Sequence, residues 1–380
     1  MSSTRSETGP AGRVGPGLPV GRVLGVPVLV SPSWLLFAGL VLVSFGPDLA
    51  ERYGPGRGYT AAGAFAVLLL LSVLLHEIGH CVVARALGLP VRSITITFLA
   101  GLTEITEPPQ TPAREYVVAV VGPLVSLLLA GVGWVGRDVF AGGSLPFLLA
   151  SVVALSNGLV AAFNLLPGLP LDGGRVLRAA AWHVSGDEAR ATVFAAWSGR
   201  VVALVLVPLL LLVALPSIGV TQLTATSVIF AALIASFIYL GATASLRRAK
   251  YLARLPRASV RALARPAVAV PQDVPLSEAV RQAQAAGVGG VVLVDTTGTA
   301  VAVLNEEAVL ATPEQRRPWV AASTVGRRLT EGMVLDAALS GEGLIEAMRA
   351  VPAPEYVVRE ADGSGFRVLS TKDVATAVAP

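Results

Sequence analysis

A single cysteine, Cys81, stands in 380 residues, so no disulfide framework can form within the chain. Charge is also scarce. Asp, Glu, Lys and Arg make up 14% of the sequence, where a soluble globular protein carries about 25%. Lysine is reduced to Lys250 and Lys372, and histidine to His76, His80 and His183. Any metal site must therefore draw on very few imidazoles. What the chain does have is apolar residues, at 54%, with a mean hydropathy of +0.70. That excludes extended disorder over most of the chain, and it excludes a wholly soluble enzyme. The net charge is +4, but the basic residues do not cluster on a polar domain. No nucleic-acid partner is expected.

The apolar residues fall into six runs, near 30–46, 61–87, 115–135, 147–166, 196–215 and 226–245. Each approaches the roughly 20 residues that cross a bilayer. Residues 1–22, rich in Gly, Pro, Ser and Arg, read as a flexible basic tail, and the first apolar run lacks the cleavage site of a signal peptide. Six spans place both ends of the domain on one side. Arg5, Arg13 and Arg22 precede the first span. Arg247, Arg248, Lys250, Arg254 and Arg257 follow the last, and Arg175, Arg178 and Arg190 lie between the fourth and fifth. The positive-inside rule makes these segments cytoplasmic in a multi-pass membrane protein.

After about residue 250 the composition turns polar. Two passages there repeat a pattern of helix, β-branched strand, Gly-containing turn, second strand and short helix, with strands at "GVVLVD" and "EYVVRE". Alternating strands and helices predict an α/β unit, and the recurrence predicts an internal duplication. The layout resembles a tandem pair of CBS modules, near 258–312 and 324–378 within a domain of 249–380. The expected architecture is an all-α polytopic membrane domain over 23–248, of about six transmembrane helices with a membrane-associated β-hairpin, followed by an α/β tandem CBS domain.

The chemistry is concentrated in His76-Glu77-Ile78-Gly79-His80, inside the second apolar run. On a helix, residues i and i+4 share a face, so both imidazoles can address one ion with Glu77 beside them. Zinc suits imidazole and leaves a position open for water, whose proton a neighbouring carboxylate can take. Three ionisable residues within five positions of a membrane span default to a functional role. A catalytic zinc site commonly takes a third protein ligand. Asp172 is the candidate, in the stretch Asn164-Leu165-Leu166-Pro167-Gly168-Leu169-Pro170-Leu171-Asp172-Gly173-Gly174 that ends the fourth run. Asp172 could instead cap the helix that follows; beside the H-E-x-x-H motif, the ligand reading is preferred. His183 reads as a surface or packing residue.

An HEIGH motif in one span and N-x-x-P-x-x-P-L-D-G-G after a later one resemble the site-2 protease family of intramembrane zinc metalloproteases. With the CBS-like pair, the resemblance points to the six-span bacterial subgroup. It implies one zinc per chain held by His76, His80 and Asp172, with Glu77 as general base and later proton donor, and Asn164 steadying the substrate backbone or oxyanion. Gly122-Pro123-Leu124-Val125-Ser126 stands where many relatives have a similar glycine motif ending in Asn, so the role of Ser126 is open. It implies as substrates single-span membrane proteins such as anti-sigma factors, or leftover signal peptides.

The alternation in Val91–Phe98, then Gly101 and Leu102–Thr106, predicts a β-hairpin. It resembles the family's membrane-dipping hairpin, where Ile94, Ile96 and Phe98 would meet an extended substrate by strand addition. In the CBS-like pair, the family pattern places Ser370 and Asp373 at an adenine-nucleotide site. The first module has Asn305 and Ala308 at those places. The pair is expected to regulate the protease or to mediate a homodimer. The competing reading is a CBS-gated transporter or channel, which would spread polar residues along several spans rather than gather them at His76, Glu77, His80, Asn164 and Asp172.

Overall fold

The computed structural model describes residues 17–97, 101–210, 212, 225–359 and 365–379. The chain divides into two compact units, Met1–Leu246 and Arg247–Pro380.

The first unit is helical and apolar outward. Helices α1 (Ser33–Tyr53), α2 (Pro55–Ala86), α3 (Pro112–Arg137), α4 (Leu145–Asn164) and α6 (Glu188–Leu209) are each long and apolar enough to cross a membrane. This is a multi-pass membrane protein. The fifth of these runs through a π-helical stretch at Val202–Leu206. The sixth expected span falls on the 30-residue α7 (Ala225–Arg254). Between the fourth and fifth spans lies the amphipathic α5 (Asp172–Ser185). Without a hydrophobic drive between helices inside a bilayer, close packing depends on small residues. Gly133 on α3 shows this, since a Cβ there would press on the backbone of Ala150 and Ala154 in α4. α3 is the central helix and packs against α2, α4 and α5.

A four-stranded sheet accompanies the helices, in the order β1 (Leu18–Val23), β2 (Val26–Val30), β3 (Val91–Ile96), β4 (Gly101–Ile105). The expected hairpin is its β3–β4 half. Leu18–Val23, largely within the tail expected over 1–22, form a strand instead, and the cause is local. Leu24 and Gly25 both take positive φ, at 50° and 80°, the geometry of a tight two-residue hairpin turn. The Arg85 guanidinium, at the end of α2, donates to the Leu24 carbonyl. β2 then pairs in parallel with β3. One face of the sheet packs on α2 through Val26, Val28, Ile94 and Ile96 around Cys81.

The second unit holds one seven-stranded sheet. Its strands are β5 (Arg265–Pro271), β6 (Gly290–Val294), β7 (Ala300–Leu304), β8 (Gly326–Arg328), β9 (Val334–Asp336), β10 (Glu355–Arg359) and β11 (Phe366–Ser370). The order is β8-β7-β6-β5-β11-β10-β9. The sequence repeat appears as two matching halves. In each, a strand and a helix lead to a parallel strand, an antiparallel return and a short helix. The first half uses β5, α8 (Leu276–Ala286), β6, β7 and α9 (Glu306–Ala311). The second uses β9, α10 (Gly341–Ala350), β10, β11 and α11 (Thr371–Val378). Each half has its own apolar core, one around Leu276, Leu293 and Leu304, the other around Leu344, Tyr356 and Leu369.

Candidate metal centre

α2 reads as a membrane span for most of its 32 residues, yet His76, Glu77 and His80 are all buried on it. The one-turn spacing brings the two imidazoles together, with ring centres 4.9 Å apart and planes at 70°. Their Nε2 atoms are 3.2 Å apart. Asp172 joins them from the first turn of α5. Its Oδ2 lies 3.1 Å from His76 Nε2 and 3.2 Å from His80 Nε2. Asp172 is already inside the helix, whose N-cap is Leu171, and its side chain makes no capping hydrogen bond. Its carboxylate is turned to the histidines instead.

The other edge of each ring meets an oxygen, and for His80 this fixes the tautomer. His80 Nδ1 donates to the Val118 carbonyl at 2.7 Å, and a carbonyl can only accept, so that nitrogen carries the proton. His76 Nδ1 lies 2.9 Å from Ser126 Oγ and can donate to it in the same way. Both Nε2 lone pairs then face each other and a carboxylate oxygen. Such a cluster repels itself unless a proton or cation lies among its atoms. Two imidazoles and a carboxylate are a donor set that fits zinc, and the three ligand atoms lie within 4.8 Å of one another. Gly122 keeps the space clear, because a Cβ there would collide with both Nε2 atoms.

Glu77 is held from the sheet. Thr103 Oγ1, on β4, donates to Glu77 Oε2 at 2.6 Å and lies 3.1 Å from its main-chain oxygen. Gly101 of β4 passes so close that a Cβ would strike the Glu77 side chain. The segment leading to Asp172 is equally tight. Pro167 and Pro170 end α4's hydrogen-bond ladder. A Cβ on Gly174 would strike the Gly168 backbone, and one on Gly168 would strike the backbone of Gly199 in α6.

The family model for peptidase family M50 matches residues 64–150 and 141–208, spans that include both histidines, Glu77 and Asp172. Over those residues the chain is similar to peptidase family M50. It is 35% identical over 237 residues to sll0528 of Synechocystis sp., covering 61% of this chain and 60% of that one. It is 41% identical over 198 residues to Rip3 of Mycobacterium tuberculosis, covering 50% of each. Both are named as proposed zinc metalloproteases. The chain thus spans about half to three-fifths of these curated relatives. The solved site-2 protease of Methanocaldococcus jannaschii aligns with 61% of this chain and 95% of its own, at 26% identity and a TM-score of 0.42. The CBS domain of a bacterial CNNM/CorC family Mg2+ transporter aligns with 41% of this chain and 96% of its own, at 12% identity and a TM-score of 0.28.

The other residues singled out in the sequence are less close to the centre. Asn164 is the last residue of α4, half-buried, with no hydrogen-bond partner among the described residues. Ile94 and Ile96 are 0% and 2% exposed, which corrects the expectation that their side chains meet substrate. β3 is paired on both sides, by β2 and β4, so the edge strand is β4. Phe98 lies outside the described residues. His183 is exposed. Asp373 is paired with Arg265 through contacts of 2.7, 2.8 and 3.0 Å, and Ser370 caps α11. Sequence reasoning left Ser126 open and passed over Gly122 and Thr103 as parts of the site. The glycine motif was the only signal for the first two. Nothing in the sequence pointed Thr103 toward Glu77, 26 residues away.

Proposed function

We propose that this chain is an intramembrane zinc metalloprotease that hydrolyses peptide bonds within the membrane segments of other proteins. The observation that carries the reading is the meeting of His76, His80 and Asp172, with Glu77 alongside, in a buried cluster built from the spanning helix α2 and the first turn of α5. Zinc held there supplies Lewis acidity toward a peptide carbonyl and lowers the pKa of a water. Glu77 takes the proton of the attacking water and returns it to the leaving amine. A transmembrane substrate is helical because its amides must be satisfied within the bilayer, so the segment to be cut has to be drawn out. β4 is the edge of the sheet beside Glu77, and strand addition along it would satisfy the extended backbone. Asn164 would steady that backbone or the developing oxyanion.

The substrate class is single-span membrane proteins, with anti-sigma factors and leftover signal peptides as examples. The arginine distribution favours cytoplasmic termini and a cytoplasmic second unit, in a bacterial cytoplasmic membrane. That unit reads as a regulatory or dimer-forming CBS pair with at most one adenine-nucleotide site, at Ser370 and Asp373. A CBS-gated transporter is the weaker reading, since among the described residues the buried ionisable groups of the spans, Glu115 apart, gather at His76, Glu77 and His80 instead of lining a path.

The test is Glu77→Gln, which keeps size and leaves the three ligands in place. Zinc content after purification in detergent should match wild type, while cleavage drops about a hundredfold or more. Comparing membrane proteomes of cells making either form should show uncut substrates accumulating with the variant. Near-normal turnover of a verified substrate by Glu77→Gln would overturn the assignment.

A further inference from the structure

Glu115 is an acid with no part in the site described above, and it is 0% exposed. It stands near the start of α3 and faces two arginines of α5. Arg175 Nε donates to Glu115 Oε1 at 3.0 Å. Arg178 Nη2 lies 2.9 Å from Oε2, at an angle that leaves Oε2 without a true hydrogen bond. Arg178 also reaches Glu188 of α6 at 3.4 Å. A buried ion pair seldom stabilises a fold more than well-packed apolar residues would, because desolvation offsets the attraction. Its retention calls for another use, and its position supplies one.

Glu115, Val118, Gly122 and Ser126 follow one another at spacings of three and four, on one face of α3. Val118 orients His80, Ser126 orients His76, and Gly122 makes room between them. α3 is thus the common reference for both histidines. Asp172 arrives differently, at the start of a 14-residue helix that follows an irregular, proline-containing segment. Arg175 lies three residues after Asp172. The Glu115–Arg175 pair therefore ties the helix of the third ligand to the helix that orients the first two. We propose that Glu115, through Arg175 and Arg178, is a positioning residue that sets Asp172 against His76 and His80. The proposal rests on the metal reading above.

The test is a cycle in metal release, which needs no substrate. Full-length protein in detergent is loaded with zinc, and loss to a chromogenic chelator is followed. Glu115→Gln should release zinc about tenfold faster or more, the scale on which residues orienting metal ligands act. In an Asp172→Ala background the same change should add nothing, because the ligand it positions is gone. Equal acceleration in both backgrounds, or none in either, overturns the proposal. If Glu115→Gln fails to accumulate, the double variant Glu115→Gln/Arg175→Met removes both charges of the pair. It should fold, since no member of the pair is left uncompensated, and still lose zinc quickly. Wild-type retention by that double variant also overturns the proposal. Wild-type protein that never takes up zinc would overturn the metal reading itself, a distinct result.

Discussion

At the scale of single residues, the site is defined as much by what is missing from one position as by its ligands. Gly122 sits on α3 with both imidazole Nε2 atoms where its Cβ would be. Gly122→Ala would force the histidines apart or fill the place of an ion. The variant should keep its helices, since Ala favours a helix interior more than Gly by about 1 kcal/mol, yet lose zinc and activity together. Circular dichroism and metal analysis of the same sample check this, and full zinc occupancy would sink it. The reach of the sequence is visible at this scale too. His76, Glu77 and His80 were legible because helical periodicity alone puts i and i+4 on one face. Asp172, 92 residues beyond His80, was legible only as a carboxylate in a broken stretch, with a capping role as rival. Ser126, Thr103 and Glu115 were not legible, because each acts across an element boundary on a residue that no local spacing indicates.

At the scale of elements, β4 is the piece to watch. It is an edge strand, and it holds Glu77, the proposed general base, by one hydroxyl. The hairpin could be read from alternation, but β1 and β2 could not. Their glycine- and proline-rich surroundings resemble a tail, and their pairing depends on the turn at Leu24 and Gly25 and on a parallel partner 60-odd residues away. A hydrogen bond to a charged group contributes about 1.5–3 kcal/mol, or roughly tenfold or more in rate where it is expressed in the transition state. Thr103→Val should therefore lower kcat by about that factor with KM little changed, and Thr103→Ser should restore most of it. Loss confined to KM, or no rescue by serine, would reduce Thr103 to a packing role.

At the scale of the whole molecule, α7 carries the chain from the membrane unit into the second unit across the boundary at Leu246 and Arg247. The proposed nucleotide site there is presently closed by the chain itself. Arg265 forks onto Asp373, the carboxylate assigned to a ribose. That pair is partly exposed, with side chains 47% and 29% accessible. Exposed pairs contribute only about 0–1 kcal/mol, so a ligand can displace Arg265 at little cost. The small cleft beside it is lined by Arg265, Ser370, Glu306 and Glu355 among others. Glu306 and Glu355 place two acids in that lining against one arginine. Such a lining opposes a triphosphate. Titrating the full-length protein by calorimetry should give tighter binding for S-adenosylmethionine or AMP than for ATP, and Asp373→Ala should abolish it. Ser370→Ala should weaken it as well, because the hydroxyl is the group assigned to phosphate or its substitute. In the first module, Asn305 instead accepts from the Ala308 amide at 2.9 Å, and Ala308 stands where the second module has Asp373, so the stoichiometry should not exceed one per chain. Absence of heat with every ligand, or binding indifferent to Asp373→Ala, would assign the second unit an architectural role alone.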